Sequence, residues 1–175
     1  MEIERKYLIE EERIPFCPGD YPCRHIEQGY LCTEPVVRIR RDNHDFFLTY
    51  KSKGLMMREE YNLPLTEEAY EHLKCKVDGR LITKDRYVIP LSEGAGTENC
   101  ILPKACTHTG TYAQPGNNKE LFIELDFFRG DFDGLILAEV EFPDEESANT
   151  FKPPAWFGED VTASSRYHNS TMSQK

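Results

Sequence analysis

Val36-Val37-Arg38-Ile39-Arg40-Arg41-Asp42-Asn43-His44-Asp45-Phe46-Phe47-Leu48-Thr49-Tyr50-Lys51 is the stretch that decides the fold. Val37 and Ile39 alternate with Arg38 and Arg40, and Phe47, Thr49 and Lys51 share one side of the return. A period of two is the signature of a strand. The Asp42-Asn43-His44-Asp45 cluster between the two runs is a hairpin turn, because Asn and Asp side chains bond their own backbone and tolerate turn dihedrals.

The same period extends outward in both directions. Upstream, residues 24–32 read as a strand, and residues 9–15 as a short helix ended by Pro15. In the first strand Glu2, Glu4 and Lys6 share one face, and Ile3, Arg5 and Tyr7 the other. Downstream, Ser52-Lys53-Gly54 turns the chain and Met57 to Leu63 pairs back. Thr66 reads as an N-cap with Glu67 and Glu68 in the first turn, opening a helix to about Lys76. Leu81 to Leu91, Glu120 to Phe128 and Leu135 to Phe142 complete the strands, and a short helix follows Pro143-Asp144-Glu145-Glu146. Residues 92–118 are rich in Gly, Thr, Asn and Pro and form a long loop insertion; residues 158–175 are a polar tail. Roughly eight sequential strands with few helices predict a mainly β (α+β) single domain, a meander closing into an eight-stranded antiparallel β-barrel.

Composition sets the bounds. The chain has 175 residues, 21 Lys+Arg and 31 Asp+Glu, hence 21 − 31 = −10. That charge argues against a general nucleic-acid binder, which needs a basic footprint. No apolar run approaches the roughly 18 residues of a membrane span, and the charged opening Glu2-Ile3-Glu4-Arg5-Lys6 offers no secretory leader. The expected address is the cytoplasm. The expected state of the cysteines (Cys17, Cys23, Cys32, Cys75, Cys100, Cys106) is therefore reduced. Cys100, Cys106 and His108 lie close in sequence, but their spacing matches no standard zinc module.

The informative feature is the kind of polar residue on the strands. A solvated sheet face is ordinarily polar, and for any single strand that reading suffices. Here the polar positions are almost all full charges, segregated by strand. Arg38, Arg40, Lys51, Lys84 and Arg86 are cationic; Glu2/Glu4, Glu124/Asp126 and Glu139/Glu141 are anionic pairs two residues apart. Like charges so placed repel unless a counter-charge neutralises them. Facing the bore of a barrel, the carboxylates suit a hard divalent cation, Mg²⁺ or Mn²⁺, and the Lys/Arg set suits a phosphate-rich anion. Phosphoryl transfer asks chiefly for such positioning and neutralisation.

Glu2-Ile3-Glu4-Arg5-Lys6 resembles the E-x-E-x-K signature of the CYTH superfamily, the triphosphate tunnel metalloenzymes of the short bacterial type. The resemblance continues through Ile26-Glu27-Gln28-Gly29-Tyr30-Leu31, Arg38-Ile39-Arg40, Thr49-Tyr50-Lys51-Ser52-Lys53-Gly54 and Arg58-Glu59-Glu60-Tyr61. It runs on through Lys84-Asp85-Arg86, Glu124-Leu125-Asp126, Glu139-Val140-Glu141, and Gly158 to Thr162 with Arg166 to Ser170. Asp160 stands where the family usually has Glu. The resemblance implies a closed tunnel that binds triphosphate along its axis. Glu2, Glu4 and Glu141 would hold the metal, with Glu60, Asp126 and Glu139 as further candidates. Lys6, Arg38, Arg40, Lys51, Lys53, Arg58, Lys84 and Arg86 would hold phosphate. Lys6 with Tyr30, or Lys84, would handle the proton of the attacking water. The implied activity is Mg²⁺- or Mn²⁺-dependent hydrolysis of inorganic triphosphate, with nucleoside triphosphates secondary. A class IV adenylate cyclase, a thiamine triphosphatase and a non-enzymatic polyphosphate-binding module are the alternatives. No nucleic-acid or membrane partner is expected, and a homodimer is compatible with the sequence.

Overall fold

The computed structural model describes residues 3–52, 60–92, 94 and 120–174. Eight strands form one antiparallel sheet: β1 (Ile3–Leu8), β2 (Cys23–Thr33), β3 (Val36–Asp42), β4 (Asp45–Lys51), β5 (Glu60–Pro64), β6 (Asp78–Pro90), β7 (Phe122–Arg129) and β8 (Ile136–Phe142). Their order is β1-β8-β7-β6-β2-β3-β4-β5. The hairpin that opens the sequence reading is present, with Arg38 opposite Thr49, Arg40 opposite Phe47 and Asp42 opposite Asp45. Asn43 takes a positive φ of 54° in its turn, a conformation that Asn tolerates better than most residues.

Three helices flank the sheet: α1 (Glu67–Lys74), α2 (Glu145–Thr150) and α3 (Asn169–Met172). Thr66 caps α1 as expected, its hydroxyl accepting from the Ala69 amide at 3.2 Å. Asp144 caps α2 in the same way through Ser147. The helix expected over 9–15 is a single 3-10 turn at Glu11–Arg13. Among the described residues, no helix is long and apolar enough to cross a membrane.

Register divides the sheet into two faces. Tyr7, Ile136, Ala138, Val140, Ile123, Leu125, Phe127, Tyr87 and Ile89 point outward into the main core, where Phe16, Ala148, Trp156 and Phe157 cover them. Each buried side chain of this size contributes about 1.5–3 kcal/mol of transfer free energy. The opposite, inner face carries the charged positions. Its far end is apolar: Tyr30, Ile82, Phe128 and Leu137 pack against Val161 and Met172, with Leu8, Val36 and Tyr167 around them. The tail expected to be merely polar thus plugs one end of the inner face.

The sheet is eight-stranded and antiparallel, but it is not a closed barrel. β1 and β5 are its two edges and share no ladder among the described residues. The reason lies in the backbone of β1. The Lys6 carbonyl accepts from Val161 at 2.8 Å, the Leu8 amide donates to Glu159 at 2.9 Å, and the Leu8 carbonyl accepts from Gly158 at 2.9 Å. Lys6 N–H donates to Thr162 Oγ1 at 3.0 Å, and Arg5 pairs with Asp160. The groups a closing strand would need are already engaged by the 158–162 segment. Gly158 permits this approach, because a Cβ there would lie 2.6 Å from the Leu8 carbonyl oxygen.

The cysteine expectation also needs correcting. Cys17 and Cys23 are disulfide-bonded, while Cys32 and Cys75 are free. A cysteine count carries no information about which sulfurs approach within bonding distance. Cys100, Cys106 and His108 lie outside the described residues, as does the 92–118 loop apart from Ser92 and Gly94.

Candidate active site

Cross-strand pairing places the charges of seven strands on one face. Lys6 stands opposite Glu139, and Glu4 opposite Glu141. Glu139 stands opposite Glu124, and Arg86 opposite Asp126. Across the sheet, Gln28 stands opposite Arg40 and Tyr30 opposite Arg38. Lys51 stands opposite Glu60.

Half of this face is an internally neutralised network. Lys84 is fully buried, and its Nζ donates to Asp126 Oδ2 at 2.5 Å. Arg86 grips Asp126 with two donors, Nε to Oδ1 and Nη2 to Oδ2, both at 2.6 Å. The same guanidinium reaches Glu139 at 2.6 Å and pairs with Glu124. Lys6 binds Glu139 at 2.8 Å and lies 3.6 Å from Glu4. Burial alone would raise the Glu139 carboxyl, but Arg86, Lys84 and Lys6 outweigh it and hold it well below the usual carboxylate range. Burial likewise pulls Lys6 down, and Glu139 with Glu4 reverses that, leaving it raised. Lys84 goes the other way: burial and the neighbouring Arg86 lower it despite Asp126.

The other half is richer in cations, with Arg38, Arg40 and Lys51 against Glu60. Among the described residues, Arg38 and Arg40 make no ion pair. Arg40 donates Nε and Nη2 to one neutral oxygen, Gln28 Oε1, at 3.1 and 3.0 Å. Arg38 reaches Thr49 Oγ1 at 3.4 Å, and among the described residues its buried Nε has no partner. Burial, then the charges of Arg38 and Arg86, lowers Arg40 to about 9. Thr49 donates its hydroxyl proton to Asn62 at 2.7 Å, and Asn62 donates to Glu60 at 3.1 Å, which Lys51 approaches at 3.0 Å. Burial raises Glu60, but Lys51 and Asn62 hold it below its ordinary value.

The structure therefore brings together Glu4, Lys6, Arg38, Arg40, Lys51, Glu60, Lys84, Arg86, Asp126, Glu139 and Glu141 on one face. Tyr30 is on that face but within the apolar plug, and it makes no hydrogen bond to Lys6. Glu2, Lys53 and Arg58 lie outside the described residues. Gln28, Thr49 and Asn62 hydrogen-bond to the charged residues of this face and are absent from the expected set. Their signal in the sequence is their strand parity alone: each sits at the even spacing of the charged positions.

Asp126 and Glu139 are engaged by Lys6, Lys84 and Arg86, and Glu4, 3.6 Å from Lys6, stands opposite Glu141 at a more exposed position. Carboxylate oxygens are hard donors that suit Mg²⁺ or Mn²⁺. Another set of possible ligands, Cys23, His25 and Asp85, lies within 4.8 Å on the outer face. The Cys23 sulfur is in a disulfide, and His25 Nδ1 meets Asp85 at 2.5 Å, so that cluster lacks a thiolate for a metal.

No family model matches the chain. It is 34% identical over 174 residues to an inorganic triphosphatase of Nitrosomonas europaea, covering 98% of this chain and 95% of that protein. It is 31% identical over 176 residues to an inorganic triphosphatase of Acetivibrio thermocellus, covering 98% and 92%. A crystal structure of an inorganic triphosphatase superposes with a TM-score of 0.65 at 30% identity, covering 100% of this chain and 95% of the other. A putative adenylyl cyclase from Hippeastrum, described as dominantly a triphosphatase, shares the fold at 14% identity and a TM-score of 0.53, over 85% of this chain and 83% of its own.

Proposed function

Because this chain belongs to the inorganic triphosphatases of the CYTH superfamily, we propose that it hydrolyses a terminal phosphoanhydride bond of inorganic triphosphate with a divalent cation. The observation that supports this reading is the Arg38–Arg40 pair, which makes no ion pair among the described residues, on the same face as the Lys6, Lys84 and Arg86 cations held by Glu139 and Asp126. Such a surface favours a linear polyanion lying across it, with Arg forks gripping phosphate oxygens.

Arg38 and Arg40 take phosphate oxygens on one side. Lys6 and Arg86, pinned by Glu139 and Asp126, present remaining donors from the other. Glu4 and Glu141, with Glu2 alongside in sequence, are the metal ligands of this proposal; the cation, Mg²⁺ or Mn²⁺, supplies charge neutralisation and polarises the transferring phosphoryl group. Asp126 and Glu139 act by holding the cationic side chains, and Glu60 acts by holding Lys51. Lys84, whose Nζ donates to Asp126, is one assignment for handling the proton of the attacking water. Lys6 with Tyr30 is the competing assignment. The apolar plug at Tyr30, Ile82 and Leu137 closes one end and keeps bulk water from it.

Product analysis tests the proposal. Tripolyphosphate and ATP are incubated with Mg²⁺ and with Mn²⁺. Metal-dependent orthophosphate from tripolyphosphate is expected. Cyclic AMP from ATP would replace the reading by a cyclase, and binding without product by a polyphosphate-binding module.

A further inference from the structure

Gln28 is fully buried on β2, opposite Arg40 on β3 and Ile82 on β6. Its amide orientation is fixed by chemistry: Arg40 has only donors, so the oxygen must face it. That places both amide hydrogens on Nε2, and among the described residues this buried nitrogen has no hydrogen-bond partner. A buried donor left unmade loses its water without replacement, so native structures rarely keep one without an acceptor arriving from elsewhere. Another unpartnered donor among the described residues is Arg38 Nε, one residue pair further along the β2–β3 ladder. Two buried donors beside Arg40 on the β2–β3 ladder are thus without an acceptor among the described residues. Phosphate oxygens are acceptors of the kind that would satisfy both.

We propose that Gln28 is a substrate-contacting and positioning residue: its carbonyl fixes the Arg40 fork while its amide donates to a phosphate oxygen of the bound triphosphate. The inference rests on the triphosphate reading and adds a neutral reader to the charged set. A neutral donor carries no net charge, so it stabilises a phosphate oxygen at one position without strengthening the field over the whole face.

The Gln28→Glu variant separates the two halves of the role. Its carboxylate keeps an acceptor for both Arg40 donors and strengthens that contact, but it has no N–H and turns a negative charge toward phosphate. KM for tripolyphosphate is expected to rise at least tenfold, with the ligand-free thermal midpoint unchanged or raised and the upward shift produced by tripolyphosphate lost. A KM within about threefold of wild type overturns the proposal. If the Gln28→Glu variant does not fold, the pair Arg40→Met and Arg40→Met/Gln28→Met decides. A further KM increase in the double variant supports direct contact, and equal values refute it. Wild-type protein that neither hydrolyses tripolyphosphate nor is thermally shifted by it would instead refute the triphosphatase reading itself.

Discussion

Asp126→Asn removes one negative charge from the most buried part of the site. Asp126 and Lys84 are both fully buried, and Arg86 nearly so. The carboxylate accepts from Lys84 at 2.5 Å and twice from Arg86 at 2.6 Å. Asparagine keeps one acceptor and turns an NH₂ toward a donor, so Lys84 is left as a buried charge with one partner fewer. Breaking a buried pair on one side costs about 3–5 kcal/mol, a large share of the roughly 5–15 kcal/mol that holds a domain folded. At about 2–4 °C per kcal/mol for a chain of this length, the thermal midpoint should fall by roughly 6–20 °C. Urea unfolding gives the free-energy difference directly, at unchanged m value. The cause is then isolated by Lys84→Met in the Asp126→Asn background. Removing the stranded ammonium should recover part of the loss, giving a coupling energy above about 1 kcal/mol. A loss below about 1 kcal/mol for Asp126→Asn, or strict additivity with Lys84→Met, would refute the claim that this network is held by mutual neutralisation.

Other perturbations probe the same face. Glu139 is depressed in the folded state, so its stabilisation is fully present above the unfolded carboxylate value of about 4.3 and is lost as pH falls below it. Unfolding free energy measured from about pH 5 downward should therefore decline, and Glu139→Gln should flatten that slope; parallel curves would exclude Glu139 as a source. Arg38→Ala removes a charge-assisted contact, and triphosphate binding should weaken by about 1.5–3 kcal/mol; unchanged KM and kcat would remove Arg38 from the site. Glu4→Gln should abolish Mg²⁺-dependent phosphate release while leaving the thermal midpoint within a few degrees, and full retained activity would disprove its metal role. Tripolyphosphate at about 100 times its Kd should stabilise the wild type by about 2.7 kcal/mol, read as a rise in thermal midpoint; no rise would mean no binding to the folded state.

Strand parity carries most of what is legible in the sequence. Arg38 and Arg40 opposite Val37 and Ile39 announce both a strand and its charged face, and the register then sets Arg38 and Arg40 beside Gln28 and Thr49 on the inner side. Leu137, Phe128 and Ile82 share that parity, yet they form a plug rather than a binding surface. Their apolar character is visible in sequence, but their covering partner Met172 sits in a tail whose composition reads as polar. Barrel closure is not legible for a related reason. It depends on whether the free edge of β1 finds β5 or the 158–162 segment, and backbone hydrogen bonds to Lys6 and Leu8 leave no trace in residue identity. Gln28 escapes a sequence reading because a single amide among charges carries no pattern; only burial and an unmet donor distinguish it. The Cys17 and Cys23 bonding is equally hidden, since sequence spacing gives no Sγ distance.

A crystal structure with tripolyphosphate and Mn²⁺ tests the central claim most directly. The account predicts phosphate density spanning from Arg86 to Arg38 and Arg40 on the inner face, with the anomalous manganese peak against Glu4 and Glu141. Phosphate bound on the outer face, or manganese coordinated away from both glutamates, would contradict it.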